Sequence, residues 1–472
     1  MARESKTSRT FAQKMAEFAF GLTYDSNPEE VMAAARRHLA DSMACALGAY
    51  DTAAVRAVRE YAFQKGGRTE ATVLGTERKL PAALAALVNG TMVRYLDAND
   101  IFLSSRGGPS GHCSDATPGL VALAEKCRRS GEELLICLAA SYELQGALAE
   151  SYNFWDRGLH VLTNVGWLTA IAAVRLAGGT PQQAVHACGL SVATNTVLNT
   201  WLRPTRTIPM IKGVAVGSVL ERALEASELA MLGVTATEDA LESAFSGLTP
   251  SADLSGVETR LEQLGKRWTT ARNMIKAYPA QLYTQAAIEA VLGLHKKGAR
   301  AERVRKLILY GHRHVCGGVQ GSRQAFAPAS REAADHSTPY VMAMALLRGR
   351  LTSREYDNAP WETPEVKDAM AKIELVEDPE RNRSLEAQGI LGVRLVAELT
   401  DGGAEEIIVQ QPKGHPDAPL SDADLLSKMT WLLEGIAPAH TPARLLELCR
   451  RLSTVDDIKQ LLAACNVVPR VS

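Results

Sequence analysis

The acid–base residues of this 472-residue chain that stand apart from ordinary helix surfaces are Asp97, His112, His160, Lys212, Lys276, His336 and Tyr340. His112, Lys212 and Tyr340 adjoin a glycine or a proline, and His160, Lys276 and His336 lie within three residues of one, where a side chain is held by a turn rather than by a regular repeat. Histidine titrates near neutral pH and suits proton transfer. Lysine supplies a compact charge for a carboxylate, and a tyrosine hydroxyl or a helix N-terminus adds hydrogen-bond donors. The chemistry such a set can perform is acid–base transfer on a bound anion, with developing negative charge held by fixed donors.

Each residue also has a plainer reading. Asp97 follows an apolar helix and reads as a cap or a solvated charge. His112 could be a loop histidine, His160 a satisfied core histidine inside an apolar helix, and Lys276 a surface lysine. Tyr340 could be core with a bonded hydroxyl. Lys212 heads an apolar helix, where its charge opposes the positive end of the helix unless an anion is also present. His312-x-His314 is the one short histidine spacing, and it is weak support for a metal. P-loop, GxGxxG, HExxH and GxSxG motifs are absent, as is any CxxC that could help hold zinc or an iron–sulfur cluster.

The elements that must position these residues follow from periodicity. The stretch Tyr95–Asp115 is polar and glycine-rich and lies between two apolar helices, at about 81–95 and 117–129, with Gly131 a stop for the second. Asn27-Pro28-Glu29-Glu30 reads as a helix start, and Thr180-Pro181-Gln182-Gln183 as a capping box. Residues 158–179 read as one long buried helix that contains His160. IKGVAVGSVLERALEASELAMLG is a helix with small residues on one face. After Lys276-Ala-Tyr-Pro279 the texture changes. RVRKLILYGH, KIELVED, GVRLVAEL and EEIIVQQ alternate as strands do, with a helix at about 338–349 among them. The expected fold is mainly α, a large helical domain (1–271 and 413–472) carrying an inserted α+β domain (272–412). A cleft where two such units meet is a common ligand site.

Composition sets outer bounds. Charged residues make up 22% of the chain and the net charge is −1, which gives nucleic acid or an acidic membrane no electrostatic hold. No apolar run is long enough for a membrane span. The N-terminus lacks a secretory signal and the eight cysteines are scattered, which points to reduced thiols and a cytoplasmic location.

Taken in order, RYLDAND (94–100), GHCSD (111–115), MIKG (210–213), KAYPAQLYTQAAIEA (276–290) and ADHSTPYVMAMALLRGRLTSREYD (334–357) resemble the MmgE/PrpD family of small-acid lyases and isomerases over roughly residues 10–440. The resemblance implies a helical domain with an α+β lid, a homodimer, and catalysis without metal or organic cofactor on a di- or tricarboxylate. It assigns catalysis to Asp97, His112, His160 and Tyr340. Substrate binding falls to Lys212, Lys276, Gln281 and His336. The family contains 2-methylcitrate dehydratases, cis-aconitate decarboxylases and iminodisuccinate epimerases. The RYLD motif with Asn99, the GHxSD form and the GRLTxxxY tail favour the first. Gln281 stands where the decarboxylases carry histidine, and Tyr283 where the dehydratases do. Ile101 and Cys113 replace a threonine and a proline of the family pattern, and the SSRGGPS spacer departs from it too.

Overall fold

The structure is a computed structural model that describes residues 9–104, 111–203, 207–248 and 253–466. Residues 105–110, most of the SSRGGPS spacer, lie outside the described residues.

The fold is mainly α. Its largest core joins helices Glu29–Gly48, Ala82–Tyr95 and Thr117–Lys126 to the C-terminal helices Asp422–Leu433 and Thr441–Arg450. Met43, Val88, Leu120, Met429 and Leu445 are all buried within it. A neighbouring cluster packs helix Phe11–Gly21 on helices Gly131–Ser151, Leu162–Ala177 and Pro181–Thr194 around Trp167 and Phe245.

The small-residue face of helix Ile211–Met231 has a steric purpose. A Cβ on Gly217 would come 2.0 Å from the Leu87 carbonyl oxygen, and one on Gly213 would come 2.9 Å from the Tyr95 ring. Glycine at both positions lets this helix lie directly against Ala82–Tyr95, so the start of one helix, with Lys212, meets the end of the other, with Tyr95 to Asp97.

Residues 280–409 build a separate core around a four-stranded sheet in the order Ile373–Glu377, Val304–Gly311, Val393–Leu399, Ala404–Val409. The first pair is parallel, with Leu309 beside Leu375. The others are antiparallel, with Leu309 beside Leu395 and Leu395 beside Ile407. Val304, Leu307 and Leu309 face the core; a register shift between Val304 and Lys306 accounts for the break in strict alternation. Helix Gln285–Lys296 packs on this sheet, and helix Thr338–Arg348 packs on that helix. A two-residue ladder, Ile101–Phe102 against Asn273–Met274, ties the Tyr95–Asp115 loop to the segment that leads into Lys276. No helix among the described residues is long and apolar enough to cross a membrane.

Three local expectations shift. Asn27 does not cap the helix at Glu29; its amide donates back to the Thr23 carbonyl, and Pro28 takes the cap position. Gly131 is not a stop but the first residue of the next helix. Ser130 caps that helix in a box with Glu133, and Gly131 packs where a Cβ would strike Leu452. The helix after His160 begins at Leu162, so His160 lies outside it. The Thr180 capping box forms as read, and Gly178 ends the preceding helix in the left-handed conformation.

Candidate active site

Asp97 is the centre of a buried charge cluster. It follows helix Ala82–Tyr95 with φ 52°, in the left-handed region that Asp and Asn enter more readily than most residues. That turn aims its carboxylate inward, where it is 2% exposed. Arg94 Nη1 and Lys276 Nζ each lie 2.6 Å from Oδ1, and Lys212 Nζ lies 3.3 Å from Oδ2. Burial opposes ionisation of Asp97, but Lys212, then Lys276 and Arg94, outweigh it and hold the carboxyl well below its ordinary range. Asp97 is therefore neither a cap nor a solvated charge.

Lys212 resolves the oddity of a lysine at a helix start. Its ammonium lies 2.8 and 2.7 Å from the two oxygens of Asp335, so two carboxylates supply the anion that the position needs. Asp335 Oδ1 also lies 2.6 Å from His336 Nδ1. A carboxylate can only accept, so Nδ1 carries the proton and Nε2 is the basic position. Lys276 is fully buried; burial, partly countered by Asp97 and reinforced by Arg94, pushes its pKa down to about 8.

The two remaining histidines hold opposite tautomers. His112 Nδ1 lies 2.5 Å from the backbone oxygen of Asp100, which can only accept, so Nδ1 carries the proton and the Nε2 lone pair is basic. Burial, with Arg94 and Lys276, takes its pKa well below the ordinary value, so it is neutral at neutral pH. His160 Nδ1 accepts the Leu162 N–H at 3.2 Å, which leaves the proton on Nε2. Its ring packs against Trp201 and Trp155, with centroids 4.8 and 5.4 Å away, and burial takes its pKa down to about 3. One neutral base and one neutral donor thus both feel the charge of Arg94.

The structure brings Asp97, Lys212, Lys276 and His336 into direct contact, with His112 and His160 within their electrostatic reach. Gln281 joins at the edge: its backbone N–H donates to the Asp335 carbonyl, and its side chain caps the turn by accepting from Tyr283 N–H. Tyr340 is placed elsewhere. Its ring packs on Tyr356 and Trp361 in the core of the α+β unit, and its hydroxyl donates to the Glu355 carbonyl. Tyr356, whose hydroxyl donates to Pro279 O at 2.8 Å, feels Asp335 and Asp97 instead. Ile101 lies in an apolar cluster with Met274, Leu282, Leu385 and Leu391.

Sequence reasoning passed over Arg94 and Asp335. Both stood inside quoted motifs, and the available signal was charge: an arginine in the last turn of a helix otherwise apolar, and an acid directly before His336. Asp115 stands among the acids of the polar stretch but carries no role in the sequence reading; burial pushes its pKa up to about 7 against the pull of Arg94.

Asp97, Asp335 and His336 place ligand-type atoms within 4.8 Å of one another. They do not fit a metal ion, because the ammonium groups of Lys212 and Lys276 already occupy the carboxylate oxygens that a cation would need. Arg94, Lys212 and Lys276 converge here on Asp97 and Asp335, and Asp115, with a pKa pushed up to about 7, lies 3.9 Å from Arg94 Nε. The convergence of three cationic side chains suits the cluster to hold an anion.

Models of the MmgE/PrpD N-terminal and C-terminal domains match residues 13–251 and 278–454. The chain belongs to the MmgE/PrpD family. It is 27% identical to the 2-methylcitrate dehydratase of Escherichia coli K12 over 73% of each chain. It is 26% identical to that of Cupriavidus necator over 84% of this chain and 83% of the relative. Human cis-aconitate decarboxylase is 24% identical over 96% of this chain and 94% of the relative.

Proposed function

We propose that this MmgE/PrpD protein is a cofactor-independent hydro-lyase that dehydrates a hydroxy-tricarboxylate, 2-methylcitrate or a related alkylcitrate. The observation that carries this reading is the buried cation cluster around Asp97, set beside a neutral histidine whose basic nitrogen is free of the tautomer-setting bond. The names of the bacterial relatives support the substrate class.

In this reading a substrate carboxylate is held by Lys212 and Lys276. His112 Nε2 takes the proton from the carbon alpha to that carboxylate. Charge moves onto the carboxylate, where the ammonium groups stabilise it in a water-poor setting. The electron pair of the broken C–H bond forms the C=C bond as the C–O bond breaks, and the departing hydroxyl takes a proton to leave as water. Lys276, with a pKa of about 8, is the acid best matched to that transfer near neutral pH. His160 cannot serve as a cationic acid at a pKa of about 3; it donates from neutral Nε2–H, orienting and polarising the substrate. His336, basic at Nε2 and fixed by Asp335, accepts a hydrogen bond from substrate or water. A homodimer and a cytoplasmic location complete the reading.

The test is a substrate panel. Purified protein is incubated with 2-methylcitrate, citrate, cis-aconitate and an aspartate-derived imine, and alkene absorbance, carbon dioxide and optical rotation are followed. Alkene formation from 2-methylcitrate supports the proposal. Carbon dioxide from cis-aconitate with no alkene from 2-methylcitrate would replace it with decarboxylation, and a change in rotation alone with epimerisation.

A further inference from the structure

Asp100 lies three residues beyond Asp97, fully buried, and contacts both His112 and Ser114. Its backbone oxygen receives His112 Nδ1–H at 2.5 Å. Its Oδ1 accepts the Ser114 N–H at 3.1 Å, two residues past the histidine. Its Oδ2 accepts the Tyr142 hydroxyl at 2.8 Å and lies 2.8 Å from His38 Nδ1. Tyr142 comes from helix Gly131–Ser151 and His38 from helix Glu29–Gly48, and their rings pack together with centroids 5.1 Å apart. One turn along from His38, Asp41 pairs with Lys428, whose ammonium donates to the Ala98 carbonyl at 2.7 Å. Side chains from three helices thus meet this loop at the Ala98 carbonyl and at the Asp100 carboxylate. The ion pairs and hydrogen bonds of His38, Asp41, Tyr142 and Lys428 described here go to Asp100, to one another and to Ala98.

A buried carboxylate held by a phenol and an imidazole is costly unless its bonds are all made, and it is an expensive way merely to fill a core. What it secures is the direction of one backbone carbonyl. We propose that Asp100 is a positioning residue, clamped by Tyr142 and His38, whose fixed main-chain carbonyl locks His112 in the Nδ1–H tautomer. The clamp keeps Nε2 as the basic nitrogen. The inference rests on the proposed role of His112 as base. Its structural half stands without that role.

The experiment separates the two. The full-length protein is prepared with ¹⁵N-histidine, and the His112 ring nitrogens, assigned by comparison with His112→Gln, are read by NMR without substrate. Wild type should show one neutral tautomer with the proton on Nδ1. Tyr142→Phe keeps the ring and removes one clamp; Asp100→Ala removes the whole clamp. Both should give a mixed-tautomer signal. The same variants should lower kcat about tenfold for Tyr142→Phe and more for Asp100→Ala, with KM within about threefold. A purely structural role would lower melting temperature while leaving tautomer and kcat unchanged, and that result overturns the proposal. So does a wild-type His112 protonated on Nε2. Should Asp100→Ala fail to fold, Tyr142→Phe alone decides. A tautomer shift with wild-type kcat would uphold the clamp and refute His112 as the base.

Discussion

Replacing Asp97 with asparagine tests the charge cluster with the least disturbance of shape. Asparagine is close to isosteric and tolerates the positive φ of 52°, whereas alanine would add about 1–2 kcal/mol of backbone strain. The substitution removes the anion shared by Arg94, Lys212 and Lys276. Lys276 is the most sensitive of the three, because its pKa has already been pushed down to about 8 and its contact with Asp97 is 2.6 Å. A fall of a little over one unit makes it mostly neutral at neutral pH, and one unit corresponds to about 1.4 kcal/mol. Breaking one side of a buried ion pair typically costs about 3–5 kcal/mol, well above that threshold. Lys276 should therefore lose its proton in Asp97→Asn, and with it both the carboxylate contact and the acid. Since about 1.4 kcal/mol is a factor of ten, kcat/KM near neutral pH should fall by about 10²-fold or more. Activity should partly return in mildly acidic buffer. The assay is steady-state dehydration across a pH series, with circular dichroism and thermal unfolding to show that the variant is folded. Wild-type kcat/KM with an unmoved alkaline limb would refute the reasoning.

Other outcomes follow from the same geometry. In wild type, kcat/KM should decline as pH rises through about 8: below that value Lys276 is charged and can hold or protonate the substrate, and above it the charge is lost. Initial rates across the alkaline range check this, and a flat profile would contradict it. His112→Ala should lower turnover by at least about 10² while leaving the melting temperature within a few degrees, as measured by progress curves and calorimetry. Tyr340→Phe removes a hydroxyl bonded to the Glu355 carbonyl, outside the charge cluster; it should cost about 1 kcal/mol of stability by denaturant titration and leave kcat within a few fold. Exhaustive chelation should leave the rate unchanged.

The sequence made most of the helices readable because their caps and periods are local. Thr180 to Gln183 and the small-residue face of 211–231 are examples, the second explained by the approach to Leu87 and Tyr95. It was less readable where two patterns overlapped. Leu159, His160 and Val161 continue an apolar run, so nothing in spacing separates them from the helix that starts at Leu162; the His160 N–H is bonded across to the Val197 carbonyl, a long-range contact. Ser130 and Glu133 form a capping box that outranks the usual stop signal of Gly131. In the site, glycine and proline neighbours pointed to the residues that meet at Asp97. Arg94 and Asp335 escaped because the meaning of a charge depends on whether it is buried and with what partner, which spacing does not reveal. The placement of Tyr340 in the core of the α+β unit was legible only as the plainer of two readings.

The central claim is that the cation cluster and His112 dehydrate a hydroxy-tricarboxylate without a cofactor. The most direct measurement uses dialysed, chelator-treated protein, shown by elemental analysis to be free of metal, mixed with 2-methylcitrate while alkene absorbance and carbon dioxide are followed together. The account predicts alkene formation at the untreated rate with no carbon dioxide. Alkene formation that disappears with the metal and returns on its addition, or carbon dioxide release from cis-aconitate in place of dehydration, would contradict it.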